Sequence, residues 1–485
     1  MEQAAVAIMP ELMLVLTALV LLLIDPALPP GGRRGLSWLG IFACLTAGIS
    51  TVLSQSGQFS AFNHGIAMDQ YAVFFKTLFL AIAIIAMLLS EKFLARRGRL
   101  LGDYYALILL ATVGMMVMAE AIDTVTFYVG LELLAFSSYL LAGFLRSERR
   151  SIEAALKYFV TGVFASTFML LGIALLYGIT GSTNFEEIRN AIALSAFDDA
   201  PLVAAILLLL GGFAFKVAAV PFHNWAPDVY QGAPTPVTAF LSVGPKAAGF
   251  AALIKFFTFI LGGQPEIWSP LLTAVALATM LTGATLALVQ RDLKRMLAYS
   301  GIAHAGYMLL AIIAAGEGVY SFGSATVLFY LAAYSLMNLG AFGVLVYLSG
   351  AAKFGDSLDD IAGLGRRFPW AAGAMTLFMF SLAGIPPTAG FFAKFYLFAA
   401  VVDAGLVWLA VAGVFFSLIS AYYYLRVIVY IYMRDPEEEA AVAADRSPDL
   451  GVGIALAAAG VVVLGILPSF VLDAARDAVT LMLGY

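Results

Sequence analysis

Long apolar stretches, separated by short polar connections, run along nearly the whole chain. A helix needs roughly 20 apolar residues to cross the hydrocarbon core of a bilayer. Such stretches occur at residues 4–24, 36–54, 70–90, 103–119, 122–145, 155–179, 202–229, 237–261, 268–289, 295–315, 322–349, 369–400, 404–433 and 451–473. The pattern therefore predicts an all-α polytopic membrane protein with about 14 transmembrane helices, called spans 1 to 14 below, and no strands.

Only two connections are long and polar, at residues 181–200 and 436–448, and neither is long enough to fold alone. The start of the chain lacks the basic region of a secretory signal, so we assign it to span 1. We therefore expect a single membrane domain, 1–485. Its predicted parts are peripheral spans 1–3 in residues 1–100, a first repeat in 101–265, a second repeat in 266–433 and a last span in 451–473.

The composition points to the bilayer as the solvent of this chain. Its residues are 62% hydrophobic and 12% charged, more apolar surface than a soluble domain can bury. One cysteine and three histidines cannot ligate an iron–sulfur cluster, and no paired haem ligands or dinucleotide fingerprint is recognisable. The single cysteine, Cys44 in span 2, is expected to be a small buried hydrophobe. We expect no cofactor in this chain and no nucleic-acid partner.

The loop charges predict the orientation in the membrane. Among residues outside the spans, 17 lysines and arginines fall in odd-numbered loops and only Arg189 in an even-numbered one. The 17 are Arg33, Arg34, Lys92, Arg96, Arg97, Arg99, Arg146, Arg149, Arg150, Arg291, Lys294, Arg295, Lys353, Arg366, Arg367, Arg434 and Arg446. Cytoplasmic loops carry the excess of positive charge, so both termini should be periplasmic. Four acidic residues then fall in outer loops: Glu120, Asp123, Glu186 and Glu187.

Several ionisable residues fall inside the predicted spans, where each costs several kcal/mol and is therefore a functional hypothesis. Most of the cations are lysines, which lose a proton when desolvated, whereas arginine does not. The cations are Lys76, Lys157, Lys216, Lys246, Lys255, Lys394 and Arg426, and Glu132, His223 and His304 join them.

Some of these residues have an ordinary structural explanation. Lys76 and Lys255 lie off the span centres, so their ammonium groups are expected to snorkel towards water. Lys157 lies near the cytoplasmic mouth of span 6, where it either snorkels and pairs with Glu153 or takes up protons. Arg426 is expected to be a cytoplasmic-side anchor.

Five residues near the span centres remain for function. For Glu132, Lys216, Lys246 and Lys394, a functional interpretation is favoured over a purely structural ion pair. His304 is open between a hydrogen-bonded core histidine and a proton relay.

Prolines predict two broken helices. Pro221 must interrupt span 7, and Pro386 with Pro387 must interrupt span 12, because proline lacks a backbone donor. Broken helices occur at membrane depth only against protein or water-filled cavities. Lys216 precedes the first break and Lys394 follows the second, in spans that cross the membrane in opposite directions. This arrangement predicts two inverted five-helix repeats, spans 4–8 and 9–13.

Three long motifs resemble the antiporter-like membrane subunits of respiratory complex I: residues 221–242, 290–304 and 381–394. The stretch Asp228-Val-Tyr-Gln-Gly-Ala-Pro is similar to subunit N, the counterpart of mitochondrial subunit 2. The sister subunits L and M and the Mrp antiporters usually carry a different run there. The resemblance covers nearly the whole chain.

The resemblance implies a role for each matching residue. Glu132 matches a glutamate that pairs with the lysine of span 7, Lys216. Lys246 matches a relay lysine, His304 a central position, and Lys394 the last lysine towards the outer side. The complete predicted proton path comprises Glu132, Lys216, Lys246, His304, Lys394, Lys157 and His223, with helix breaks at Pro221, Pro386 and Pro387.

The expected function is proton translocation from cytoplasm to periplasm as a membrane subunit of NADH–quinone oxidoreductase in a bacterial inner membrane. FMN, iron–sulfur clusters and quinone are expected in partner subunits, which would drive the movement of protons. The expected neighbours are another antiporter-like subunit, small membrane subunits and lipid. An Mrp-type or stand-alone cation/proton antiporter, or a hydrogenase-linked homologue, remains the alternative.

Overall fold

The computed structural model describes residues 2–29, 32–54, 59–62, 65–99, 101–194, 199–349, 356–435 and 447–482. The first helices are α1 Glu2–Ile24, α2 Leu36–Leu53, α3 Gln70–Arg96, α4 Gly102–Glu120, α5 Thr124–Ala142, α6 Arg149–Thr180, α7 Phe185–Leu194, α8 Asp199–Val217, α9 Trp225–Gly232 and α10 Thr235–Ile254. The later helices are α11 Pro265–Val289, α12 Leu293–Gly316, α13 Tyr320–Leu348, α14 Leu364–Arg367, α15 Pro369–Ala383, α16 Ala389–Asp403, α17 Val407–Met433, α18 Pro448–Ile466 and α19 Ser469–Met482.

The all-α membrane architecture predicted from the hydrophobic pattern is confirmed. In the described part of the chain, 13 helices are long and apolar enough to cross a membrane. A shorter apolar helix, α15, is the first half of the broken span 12, so the helices match the predicted spans one by one. The polar connection predicted at 436–448 lies outside the described residues as far as residue 446.

Two details of the prediction are wrong. Span 14 ends at Ile466 rather than at residue 473, and α19 is a separate helix with one apolar face. The chain also contains a short antiparallel hairpin, formed by β1 Phe59–Ala61 and β2 Ile66–Met68. These short elements have no run of about 20 apolar residues, which is the signal that located the spans.

Acidic N-caps begin three of the helices. Asp69 accepts a hydrogen bond from the backbone N–H of Ala72 at the start of α3. Asp123 caps α5, and Asp292 caps α12 by accepting from the N–H of Arg295. A carboxylate at this position satisfies backbone donors that have no partner within the helix.

The first predicted break is present between α8 and α9. Pro221 lies in it, and two hydrogen bonds hold the chain on either side of this proline. The N–H of Val220 donates to Thr279 Oγ1 over 3.0 Å, and Trp225 Nε1 donates to the carbonyl of Phe215 over 3.0 Å. The broken backbone is therefore held by specific side chains of the surrounding protein, as expected at membrane depth.

The second predicted break separates α15 from α16. Gly384 ends α15 with a φ of 89°, in the left-handed region that glycine adopts readily. Pro386 and Pro387 follow it, and the chain becomes helical again at Ala389. Both breaks therefore lie at the prolines that predicted them.

The helices differ in what they face. Every residue of α10 is buried, and nearly every residue of α12 is buried too. By contrast, α6 and α17 expose large apolar side chains such as Phe164 and Leu418, as expected of lipid-facing helices. Cys44 on α2 is buried, as predicted. The interior of the molecule therefore lies around α10, α12 and α13, where side chains are surrounded by protein.

Candidate functional site

His304 lies at the centre of a buried chain of hydroxyl groups. Its Nδ1 is 2.7 Å from the hydroxyl of Tyr330 on α13, and its Nε2 is 3.0 Å from the hydroxyl of Tyr424 on α17. The Tyr424 hydroxyl also makes a short hydrogen bond with Ser300, one turn before the histidine. Three helices thus contribute to one hydrogen-bonded chain through the imidazole.

Such a chain has the chemistry of a proton relay. A neutral imidazole donates from one nitrogen and accepts at the other, and each hydroxyl does both. The direction of every hydrogen bond therefore reverses when the tautomer of His304 changes. A proton gained at one end is matched by a proton released at the other, without movement of the helices.

Lys246 lies on one side of this chain. Its ammonium donates to the carbonyl of Gly301 over 2.6 Å and lies 3.5 Å from the hydroxyl of Tyr334. The ring of Tyr334 is in turn 5.1 Å from that of His304. The lysine predicted as a relay is therefore separated from the histidine by a single aromatic side chain.

Lys394 lies on the other side of the hydrogen-bonded chain, and its hydrogen bonds span the second helix break. Its ammonium donates to the carbonyls of Leu382 and Ala383 over 3.0 and 2.9 Å, and to Ser417 Oγ over 2.9 Å. The two carbonyls are among the last of α15 and have no acceptor role within that helix. A cation at the C-terminus of a helix also complements its dipole.

Tyr307 stands between Lys394 and the histidine. The ammonium of Lys394 lies 5.6 Å from the centre of the Tyr307 ring, and that ring is 5.7 Å from His304. The charges of both Lys394 and Lys246 act on His304. We call this group the central network: Lys246, Ser300, His304, Tyr307, Tyr330, Tyr334, Lys394, Ser417 and Tyr424.

Lys216 and Glu132 are near one another but are not an ion pair. Lys216 is buried at the end of α8, and its ammonium makes no hydrogen bond with the described residues. Glu132 is only partly buried and accepts a short hydrogen bond from Ser166. Its charge nevertheless acts on Lys216, and a small cavity lined by Ser166 lies against the lysine. Glu132 and Lys216 therefore interact through their charges, without the salt bridge that the sequence predicted.

Lys157 belongs to a half-exposed cluster of charges. It pairs with Glu153 over 2.9 Å, as the spacing predicted, and with Asp228 over 2.8 Å. Asp228 also pairs with Arg295 at the start of α12 over 2.7 Å. One carboxylate thereby joins α6, α9 and α12, a contact that no sequence spacing indicated.

His223 is not brought together with the other predicted residues. It is partly buried in the turn after Pro221, and its Nδ1 has no hydrogen-bond partner among the described residues. Its place beside the first break is confirmed, whereas its role in a proton path stays a prediction.

The prediction that Lys76 snorkels is wrong. Its ammonium is completely buried between Glu11 of α1 and Glu120 of α4, at 2.8 and 2.6 Å. Glu120, which the hydrophobic pattern assigned to an outer loop, is likewise buried. Two carboxylates from distant parts of the sequence offset the free-energy cost of burying the charged lysine.

Lys255 does not snorkel either. Its buried ammonium donates to the backbone carbonyls of Ala119 and Ala121, the first through a short hydrogen bond. Arg426 donates to the carbonyls of Leu288 and Gln290 over 2.7 Å each, where α11 ends. Both cations thus satisfy acceptors at a helix end, a role that cannot be recognised from their own sequence neighbourhood.

Comparison with known proteins assigns the family. Residues 121–420 match the family described as NADH:quinone oxidoreductase/Mrp antiporter, transmembrane. A protein of Trichlorobacter lovleyi named NADH-quinone oxidoreductase subunit N is 44% identical over 98% of this chain and 97% of its own length. A subunit N of Rhizobium meliloti is 42% identical over 98% of both chains. The chain belongs to the subunit N family of NADH-quinone oxidoreductases.

A solved structure of respiratory complex I agrees with the family assignment. A chain of respiratory complex I from Thermus thermophilus with bound aureothin is 34% identical, with a TM-score of 0.81 over 96% of this chain and 99% of that one. A chain of the Mrp complex from Dietzia sp. is 23% identical, with a TM-score of 0.85 over 100% of this chain and 98% of that one. The second likeness concerns the fold alone.

The stretch that begins at Asp228, predicted to resemble subunit N, connects several helices. Its first residue, Asp228, holds Lys157 and Arg295, and its Gln231 hydrogen-bonds both Arg295 and Asp292 over 3.1 and 2.8 Å. Asp292 in turn caps α12, the helix that carries the histidine of the central network. The motif thereby ties the first broken helix to the start of α12.

Proposed function

We propose that this chain translocates protons from the cytoplasm to the periplasm as a membrane subunit of NADH–quinone oxidoreductase. The observation that carries the proposal is the central network, in which two lysines flank a histidine whose two ring nitrogens both meet tyrosine hydroxyls. Buried ionisable groups of this kind are costly in a membrane protein, and they mark proton paths.

In the proposed path a proton is taken up near Lys157 and passes by Lys216 to Lys246. From Lys246 it crosses the hydrogen-bonded chain at His304, and it leaves by way of Lys394. The hydrogen-bonded path is interrupted at the aromatic rings on either side of the histidine. Water is expected to bridge these interruptions. The two helix breaks supply free backbone groups that can order such water.

The driving step is electrostatic. The charge of Glu132 acts on Lys216 without a hydrogen bond between the two side chains, so either residue can move relative to the other without breaking a hydrogen bond. A neighbouring subunit that moves or neutralises Glu132 would change how readily Lys216 releases its proton. The partly buried position of Glu132 leaves it within reach of such a neighbour.

Redox chemistry is proposed to take place in partner subunits, which would hold FMN, the iron–sulfur clusters and quinone. The proposed neighbours are another antiporter-like subunit, small membrane subunits and lipid in a bacterial inner membrane. The rival function is cation/proton antiport of the Mrp type. The 34% identity to a complex I chain, against 23% to an Mrp chain of equal fold, favours the first proposal.

The orientation follows from the loop charges and has a direct test. Single cysteines introduced near Arg97 and Arg149 should react with a membrane-impermeant maleimide only from the cytoplasmic side. A cysteine near Glu186 should react only from outside. The opposite labelling pattern would reverse the direction assigned to the proton path.

The relay itself is tested at Lys246. Lys246→Met should slow NADH-driven proton uptake by inverted vesicles several-fold, measured per assembled complex, and quinone reduction should slow with it. The matched control is Lys92→Met at the cytoplasmic end of α3, outside the central network, which should leave both rates normal. Normal rates in Lys246→Met, or a loss of sodium/proton exchange with normal quinone reduction, would contradict the proposal.

A further inference from the structure

Five buried ionisable residues form a second group, outside the central network. Glu11 comes from α1, Asp69 and Lys76 from the start of α3, Glu120 from the end of α4, and Lys255 from the π-helical turn after α10. None is more than 4% exposed. We call these five residues the outer cluster, because α3 begins and α4 ends on the side of the membrane predicted to be periplasmic.

A single ammonium group holds two carboxylates of the outer cluster. Lys76 Nζ is 2.8 Å from Glu11 Oε1 and 2.6 Å from Glu120 Oε2, and Met68 Sδ lies 3.8 Å away. The charges of Asp69 and Glu120 both act on Lys255. All five residues therefore belong to one electrostatic unit.

The charges of the outer cluster do not cancel. Three carboxylates and two ammonium groups leave one excess negative charge when every group is ionised. A buried charge without compensation costs several kcal/mol. Binding one proton removes the excess and leaves each remaining carboxylate with a lysine.

Two carboxylate oxygens are available for that proton. Glu11 Oε2 and Glu120 Oε1 are the oxygens turned away from the closest contacts with Lys76. Both are buried, and neither has a hydrogen-bond partner among the described residues. An unpartnered buried acceptor is costly, and protonation of either oxygen removes the cost of its charge.

A cavity connects Asp69 and Lys255 of the outer cluster with the surface. It has a volume of about 190 Å³, and its walls include Asp69 and Lys255 at one end and the exposed Ser60 and Glu186 at the other. Lys255 also donates to the backbone carbonyls on either side of Glu120. The cavity has room for several waters, and its lining mixes polar side chains, Asn184 among them, with apolar ones such as Phe185.

Tyr71, a titratable neighbour of the outer cluster, already uses its hydroxyl as a donor. Tyr71 of α3 lies with its ring 5.3 Å from the ammonium of Lys255, and its hydroxyl donates to the carbonyl of Ala251 over 2.7 Å. Glu186 stands at the exposed mouth of the cavity. The carboxylates of the outer cluster are thus the groups that face the buried lysines from α1, α3 and α4.

We propose that the outer cluster is a second protonable site, which binds one exchangeable proton shared by Glu11 and Glu120. The proton comes from water in the cavity, adds to a carboxylate oxygen, and returns to water on the side where Glu186 lies. No other bond changes. The site is distinct from the central network, so the proposed relay through His304 stands or falls separately.

The test is infrared spectroscopy of the full chain in lipid nanodiscs, as difference spectra between acidic and alkaline pH. Wild type should show a carboxylic-acid C=O signal that shifts in D₂O and titrates with pH. Glu11→Gln and Glu120→Gln should each abolish the signal, because either change removes the excess negative charge. Lys76→Met should roughly double the signal, because two carboxylates then lack a cation. Glu187→Gln on α7, which is exposed, is the matched control and should leave the signal unchanged.

Three results would overturn the proposal. The first is a wild-type spectrum without a titrating carboxylic-acid signal, which needs no variant and so does not depend on variant folding. The second is a signal that persists in both glutamine variants. The third is a signal that sodium abolishes at constant pH while choline does not, since the site would then take a metal cation. Glu120→Asp, checked for helix content by circular dichroism, should retain the signal.

Discussion

A buried lysine lies beside each helix break, but within the described part of the chain only one of the two lysines is held by hydrogen bonds. At the second break, the ammonium of Lys394 donates three hydrogen bonds, two of them to the carbonyls that end α15. At the first break, the ammonium of Lys216 makes no hydrogen bond with the described residues, and the charge that acts on it is that of the nearby Glu132. Both lysines are buried.

The difference separates two uses of a buried lysine. A lysine that satisfies the end of a broken helix contributes to stability as well as to any proton transfer. A lysine without hydrogen bonds adds no such stabilisation, and a nearby charge changes how readily it is protonated. We therefore infer that the lysine of the first break is the switch of the proton path. The lysine of the second break is a proton-binding site held in a fixed position.

The largest expected effect is on assembly. Lys394→Met leaves the carbonyls of Leu382 and Ala383 and the hydroxyl of Ser417 without their donor, at about 1–3 kcal/mol for a buried group such as the Leu382 carbonyl. The amount of assembled complex, measured on native gels, should fall strongly. Lys216→Met is the matched control and should assemble nearly as wild type, because its ammonium has no hydrogen bond to lose. Equal assembly of the two variants would remove the distinction between the breaks.

A smaller effect is expected within the hydrogen-bonded chain at His304. Tyr424→Phe removes the hydroxyl that joins His304 to Ser300, which should cost about 1 kcal/mol of stability and slow proton uptake. The control is Tyr422→Phe, a change on the exposed face of the same helix. Proton uptake per assembled complex should separate the two variants. Indistinguishable rates would mean that the tyrosine only packs against the histidine.

The sequence located the breaks and their lysines because proline and long apolar runs have local signatures. It could not show the partners of those lysines, which come from other helices. Tyr330 and Tyr334 lie four residues apart on α13, a spacing that places both on one face of the helix and was the available signal for these two members of the central network. That signal is weak, since tyrosine packs in many membrane interiors.

The outer cluster was missed for a different reason. Glu120 is the last residue of α4, where a hydrophobic pattern assigns charged residues to the aqueous boundary, and Glu11 lies in the first half of α1. Only the fold shows that they meet Lys76 from two other helices. Pairing of Lys157 with Glu153 was predictable because it lies within one helical turn, whereas its bridge through Asp228 was not.

The central claim is that the first break holds the switch of a coupled proton path. Its most direct test is NADH-driven quinone reduction and proton uptake in vesicles from Glu132→Gln and Lys216→Met, both normalised to assembled complex. The account predicts nearly normal assembly in both variants, because Glu132 is partly exposed and does not contact Lys216. Quinone reduction and proton uptake should fall together several-fold, because the redox cycle cannot complete against a stalled relay. Normal rates per assembled complex in both variants would contradict the claim.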